Sequence, residues 1–235
     1  MKKKLSKIVI SGGNGRFASV LKKTVSSKNY FFPNKKKLNI LKPESIEKYL
    51  KKIKPKYFIH AAALSRPMKI HETQISKSID LNIIGTCNVV KICKKLKIKL
   101  IYFSTGYVYP GTKGNYKEND SLLPWNNYGW SKLGAESSVQ MYNNSLIIRA
   151  CMTEKPFTHK FAFSNVKSNF IFHSQFAHLL TKVISKKGII NIGGKSQTIY
   201  DFAKKTKKNV KKKKSKGELP LKMDMNLDKL KKFIK

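Results

Sequence analysis

The chain has 235 residues, 40% of them apolar, with 13 glycines and no apolar run near the roughly 20 residues that a membrane-spanning helix requires. That length suits one large domain, or one large and one small, and the composition excludes a disordered polymer. The formal charge is +38, yet only three of the 50 basic residues are arginine: Arg16, Arg66 and Arg149.

Arginine is the better group for bidentate contacts with phosphates and bases. A basic surface so poor in it reads as lysines on solvated faces, so no specific nucleic-acid partner and no membrane are expected. The first residues are basic but lack a long apolar core, which reads as a first strand and not a signal peptide. Cys87, Cys93 and Cys151 are odd in number and lack framework spacing, as suits reduced thiols in a cytoplasmic protein. The histidines show no paired metal spacing, and no metal is expected.

In chain order, Ile8 to Ser11 is apolar and strand-like, and a glycine loop leads into a helix from about Arg16 to Ser26. Tyr30 to Phe32 is a short second strand, and Pro43 to Lys52 a helix with proline near its first turn. Tyr57 to His60 is a third strand, followed by a long helix from about Gln74 to Leu96. Leu100 to Phe103 is a fourth strand; after a loop comes a helix carrying Tyr128, then a fifth strand over Leu146 to Ile148. Such alternation predicts an α/β fold with a Rossmann-type, doubly wound parallel sheet. The expected domains are a nucleotide-binding domain over 1–150 and a small C-terminal lobe over 151–235. In that lobe, helices are expected over 175–185 and 199–205, a strand over 189–192, and a lysine-rich loop at 207–217. Asn226 is expected to cap a short final helix. Phe157, Phe161, Phe163, Phe170 and Phe172 read as core in preference to a sugar pocket.

Gly12 and Gly15 follow the first strand in Gly-x-x-Gly spacing, with Ala18 in the next position. Glycines there permit close approach of backbone to a pyrophosphate at a helix N-terminus, so Gly12, Asn14, Gly15, Arg16 and Phe17 are candidate cofactor contacts. An acidic residue after the second strand would hold both ribose hydroxyls of NAD; Asn34 and Lys35 stand there instead. Together with Arg16, they favour a 2′-phosphate and hence NADP, with NAD as the alternative.

Ser104 and Thr105 end the fourth strand, where ligands meet a doubly wound sheet. Tyr128 and Lys132 are spaced i, i+4, so on a helix both project from one face. An ammonium beside a phenol lowers the phenol's pKa and equips it for proton transfer. Arg149 ends the fifth strand, where it can meet a phosphate or pair with a carboxylate.

With these stretches, and with His60-Ala-Ala-Ala63, Asn82-Ile-Ile-Gly85 and Ser104-Thr-Gly-Tyr-Val-Tyr-Pro-Gly111, the chain resembles the extended short-chain dehydrogenase/reductases. Within them it is most similar to dTDP-4-dehydrorhamnose reductase-like sugar-nucleotide reductases. The resemblance implies that Thr105, Tyr128 and Lys132 are the catalytic trio and that Lys132 also holds the nicotinamide ribose. It implies that Ala61, Ala62 and Ala63 line the cofactor cleft, and that Ser65 and Arg66 edge the substrate pocket, with a nucleotide-sugar as substrate. Gly106 stands where the reductases usually carry Asp, and the chain beyond Arg149 is shorter than their usual substrate lobe. An Asp-Glu pair, which dehydratases place after the threonine, is absent. An epimerase with the same trio, or a non-catalytic NADP-binding regulatory subunit, are the alternative readings. A homodimer is left open.

Overall fold

The computed structural model describes residues 6–25 and 28–234. The basic N-terminal residues and Ser26, the expected end of the first helix, lie outside these. In chain order the elements are β1 (Ile8–Ser11), α1 (Arg16–Thr24), β2 (Tyr30–Phe31), α2 (Pro43–Ile53), β3 (Tyr57–His60), α3 (Ile70–Thr73) and α4 (Ile75–Ser78). A π-helical turn (Ile79–Ile84) leads into α5 (Gly85–Lys95), β4 (Lys99–Ser104), a 3-10 turn (Gly106–Val108), α6 (Asn127–Gln140), β5 (Ser145–Ala150) and β6 (Met152–Thr153). There follow β7 (Phe161–Phe163), β8 (Lys167–Ser168), β9 (Ile171–Phe172), α7 (His173–Val183), β10 (Gly188–Ile192), β11 (Gln197–Thr198), α8 (Ile199–Lys204), β12 (Lys211–Lys213) and α9 (Asp228–Ile234).

Six strands form the central parallel sheet in the order β10-β5-β4-β3-β1-β2. β1 pairs in parallel with β2 on one side and β3 on the other, with Ser11 opposite His60, and β3 pairs in parallel with β4. The chain therefore leaves β1 in one direction and returns on its far side. The β1/β3 boundary is the switch point at which such sheets bind ligands.

One compact unit comprises the chain up to Ser104, Ser131–Ile147 and Ile184–Gly188. Its strands are nearly continuous in apolar residues because both faces are covered: Val9, Ile10, Phe58, Ile59, Leu100 and Ile101 are fully buried. α1 turns Phe17, Ala18 and Leu21 inward, and α2 turns Ile46 and Leu50. Pro43 and Glu44 open α2 and Lys51 and Lys52 close it, matching the helix dipole at both ends.

The second unit comprises Thr105–Trp130, Ile148–Val183 and Ile189–Lys235. Its core gathers Phe157, Val166, Phe172, Ile199, Phe202, Val210 and Met223, with Phe163 and Phe170 packed against it. The aromatic cluster is thus core, apart from Phe161, which is exposed. Short strand pairs surround it: β6 with β9, β8 with β11, and β7 with β12. The last pair departs from the expected loop at 207–217. Lys211–Lys213 aligns in register with Phe161–Phe163, and Lys213 Nζ lies 5.5 Å from the Phe163 ring centre. Backbone pairing can order a stretch of lysines when their side chains remain in water. Near the C-terminus, Asn226 Oδ1 accepts the Asp228 N–H at 2.9 Å, but Leu227 accepts the first bond of α9, so Asn226 stands one residue before the cap position expected for it.

Candidate active site

The glycine loop is shaped by close backbone approaches at the β1/β3 boundary. Gly12 has φ +72°, and a Cβ there would lie 3.0 Å from Ala62 Cα. Gly13, whose N–H donates to Pro33 O at 3.1 Å, is tighter still: a Cβ would meet Phe32 O at 2.4 Å. Gly15 caps α1 in an extended conformation. Loop, Ala61–Ala62 and the end of β2 therefore approach closely enough for backbone to face a dinucleotide at a helix N-terminus. Within this loop Gly13 has the closest approach, although the spacing argument rests on Gly12 and Gly15.

Side chains pin this cradle. Ser11 Oγ accepts N–H bonds from Ala61 and Ala62, at 3.2 and 3.1 Å, and lies 2.9 Å from His60 Nδ1. His60 Nε2 lies 3.0 Å from Thr86 Oγ1. The expected helix over 74–96 is interrupted by the π-helical turn, and the reason is Asn82. That residue turns inward, its amide meeting Leu64 N–H (2.7 Å), Leu64 C=O (2.9 Å) and Ser131 Oγ (2.8 Å). Three bonds to one buried side chain outweigh the poorer backbone geometry of a π turn. Ser11, His60, Thr86 and Ser131 stand in or beside the family-like stretches, but no role follows for them from the sequence; Ser11 and His60 show only as polar residues ending two strands that prove adjacent.

Ser131 neighbours Lys132 on α6. Lys132 is buried, with Nζ 4.2 Å from the Tyr102 ring centre. Burial lowers its pKa to about 7, against the opposing pull of the Glu136 carboxylate one turn on. Glu136 is itself buried and accepts the Ser104 hydroxyl at 2.7 Å, so this expected cofactor contact spends its proton within the protein. Its i, i+4 spacing from Lys132 was the available clue.

In the second unit, Thr105 is buried and its Oγ1 accepts the Tyr107 N–H at 3.2 Å. The Tyr107 ring stands edge-on to Tyr128, with centres 6.0 Å apart. Gly129 makes this approach possible, since a Cβ there would lie 2.5 Å from Tyr107 O. Asn126 Oδ1 accepts the Gly129 N–H at 2.8 Å at the start of α6. Thr105 and Tyr128 are thus held around a single turn, and Lys132 lies one helical turn beyond Tyr128. A Cβ on Gly106 would lie 2.9 Å from Cys151 Sγ and 3.2 Å from Met225 Sδ. The place an Asp side chain would occupy is filled by sulfur.

Arg16 Nη2 donates to Ser65 Oγ at 3.2 Å, joining two expected ligand contacts in one unit. The Phe17 ring belongs to the core, edge-on to Phe103 at 5.2 Å. Asn34 Oδ1 accepts the Lys37 N–H at 3.1 Å and shapes the turn after β2, while Lys35 is exposed. Ala63 is exposed, Asn14 is exposed, and Arg66 is half-buried. Arg149 is buried; its Nη1 donates to Tyr109 OH at 2.8 Å and to Glu118 O at 2.9 Å. Tyr109 OH passes the chain on to Asn191 at 2.9 Å. Among the described residues no cluster of His, Cys, Asp and Glu is arranged to hold a metal.

The family model described as RmlD substrate binding domain matches residues 6–154. The chain belongs to this family. In fold it is similar to the dTDP-4-dehydrorhamnose reductase of Bacillus anthracis in complex with NADP, with a TM-score of 0.87 at 22% identity, covering 98% of this chain and 92% of that one. The Yersinia enterocolitica dTDP-4-dehydrorhamnose reductase is similar at a TM-score of 0.80 and 25% identity, over 95% of this chain and 91% of that one. By sequence, the chain is 33% identical over 111 residues to methionine adenosyltransferase 2 subunit beta of Xenopus laevis, spanning 47% of this chain and 33% of that relative. The chain thus matches about a third of that relative's length. No helix among the described residues is long and apolar enough to cross a membrane.

Proposed function

We propose that the protein is an NADP(H)-dependent oxidoreductase that reduces a keto group of a nucleotide-activated sugar. The observation that carries this reading is the turn holding Thr105 and Tyr128 together, with a buried lysine one helical turn further along α6. The glycine loop and Ala61–Ala62 fit a dinucleotide, because their backbones approach where a Cβ would collide. Arg16 and Lys35 are exposed near the two ends of that cradle, and no carboxylate stands after β2, which suits a 2′-phosphate. When bound, a nicotinamide dinucleotide supplies the hydride.

The rest is done by side chains. Thr105 Oγ1 accepts one N–H and retains its own proton, which it can give to a substrate carbonyl oxygen. Tyr128 donates the proton that this oxygen needs as its carbon is reduced. Lys132 favours the phenolate left behind and places a cation beside the nicotinamide ribose. Ser65 and Arg66 then edge the sugar. Arg149, held by Tyr109 and Glu118, acts by shaping the lobe.

The test is NADPH oxidation with a 4-keto nucleotide-sugar. Tyr128→Phe is expected to abolish turnover while leaving NADPH affinity within about twofold, since the phenol serves the substrate. Full turnover in that variant sinks the mechanism. Stoichiometric consumption of NADPH separates reduction from epimerisation, in which cofactor is regenerated.

A second reading has its own support. The likeness to a methionine adenosyltransferase subunit, with sulfur occupying the place beside Thr105, suits a cofactor-binding subunit without turnover. Binding of NADPH without oxidation of any 4-keto nucleotide-sugar, together with a changed rate of a methionine adenosyltransferase on mixing, would select it.

A further inference from the structure

β3 ends at His60, and the residues after it leave the strand ladder. Their backbone groups are bonded all the same, by side chains: Ala61 and Ala62 N–H by Ser11 Oγ, and both polar groups of Leu64 by Asn82. The proton positions follow from counting. Ser11 Oγ accepts two N–H bonds, so both lone pairs are engaged and only its own proton remains to be given. His60 Nδ1, at 2.9 Å, is the acceptor. On the other side, Thr86 Oγ1 gives its proton to the Asn82 carbonyl at 2.6 Å. A hydroxyl that donates there accepts from its other neighbour, so His60 Nε2, at 3.0 Å, carries the hydrogen. A second proton on Nδ1 would face a hydroxyl with no lone pair left. Burial opposes it too, with the Lys132 charge adding to the effect, and the pKa falls to about 3.

Building on the cofactor reading above, we infer that His60 is a positioning residue for the cofactor cradle. As a neutral Nε2–H imidazole it orients the Ser11 hydroxyl, which holds the Ala61–Ala62 backbone against Gly12. The approach there has no slack, since a Cβ on Gly12 would stand 3.0 Å from Ala62 Cα. Turning the Ser11 hydroxyl away releases two half-buried N–H groups and lets the segment drift into, or out of, the space for a pyrophosphate. Thr86 completes the arrangement by tying the imidazole to the Asn82 turn, whose amide reaches Ser131 beside Lys132.

Two substitutions separate this role from simple core filling. His60→Leu fills the space but offers Ser11 no acceptor. His60→Asn can place its amide oxygen near the Nδ1 position while losing the reach to Thr86. Amide exchange of Ala61 and Ala62 is followed in the protein without cofactor, and NADPH affinity by titration. His60→Leu is expected to speed exchange at both amides and weaken NADPH about tenfold, the effect of one buried hydrogen-bond group left unpaired. His60→Asn should restore slow exchange and bind NADPH within about threefold of the parent. Nitrogen NMR of the parent should show Nε2 protonated and Nδ1 unprotonated from pH 5 to 8.

Slow exchange and unchanged NADPH affinity in His60→Leu would overturn the inference, as would a protonated Nδ1. If His60→Leu does not fold, Thr86→Val carries the comparison: without its acceptor the Nε2–H form loses its preference, and faster Ala61 exchange is expected. A parent protein that binds neither NADPH nor NADH, yet shows the stated exchange pattern, refutes the cofactor reading while upholding His60 as the residue that positions the segment.

Discussion

The segment around β1, β3 and the π turn, and the segment beginning at Thr105, are built on opposite principles. In the first, polar side chains are nearly all matched: Ser11, His60, Thr86, Asn82 and Ser131 form one chain of hydrogen bonds behind Gly12 and Gly13. In the second, the turn of Thr105 and Tyr107 is backed by Cys151 and Met225, soft groups that fill space without fixing direction. A matched polar network tolerates little change, because each lost partner leaves a buried group unpaired. A sulfur-lined pocket tolerates more. On the proposed function, the first would be a cofactor side under tight geometric constraint and the second a substrate side free to drift in specificity.

The largest effect expected on breaking this contrast is at Lys132, the proposed partner of Tyr128 on α6. Lys132→Met should lower kcat by roughly 10²- to 10⁴-fold, the usual range for an acid–base partner. It should also change the proton balance of cofactor binding. Lys132 in the protein without cofactor has a pKa near 7, and an anionic dinucleotide beside it raises that value. NADP binding at pH 7.5 to 8 should therefore take up protons, seen by calorimetry in buffers of different ionisation enthalpy. The uptake should vanish in Lys132→Met; its persistence there would assign the proton to another group.

The contrast also explains what the sequence discloses. The strands are readable because each is covered on both faces and therefore apolar along its length, as in Ile8–Ser11 and Tyr57–His60. Thr105, Tyr128 and Lys132 are readable because the chemistry proposed for them demands particular residue types at particular spacing. The π turn is not, since the partners that its Asn82 reaches, Leu64 and Ser131, lie 18 and 49 residues away. Lys211–Lys213 reads as loop because nothing in three lysines signals a strand; the pairing partner, Phe161–Phe163, supplies the order. His60 gives no periodic signal, and its role emerges only when Ser11 and Thr86 are placed on either side of it.

A smaller effect is expected at Gly106. Gly106→Asp places a Cβ 2.9 Å from Cys151 Sγ and should destabilise by about 1–3 kcal/mol, as overpacking does. Cys151→Ala removes the colliding atom, so the double variant should regain much of the loss, a coupling on the order of 1 kcal/mol in chemical denaturation. Additive losses would show that the pocket yields by backbone movement, and the contrast with the first region would weaken. Restored stability accompanied by altered substrate preference would show the opposite, that this position sets specificity.

The smallest expected effect tests the matched region where it is imperfect. Lys99 opens β4, is buried, and its Nζ has no hydrogen-bond partner among the described residues. Burial, with the like charge of Lys187 adding to it, lowers its pKa to about 8. In the unfolded chain its value is the ordinary one, near 10.4. Between these two values the unfolded state binds more protons, so stability should rise with pH from about 8 to 10, and below 8 the full penalty of a buried charge applies. Lys132 contributes with the same sign from about pH 7, so the parent protein alone does not separate the two. Lys99→Met does: it keeps the volume and removes the charge, and should raise stability at pH 7 by on the order of 1 kcal/mol while flattening only the part of the rise above pH 8. An unchanged slope there would mean that Lys99 reaches water in solution, and that its burial is not a defect in the first region at all.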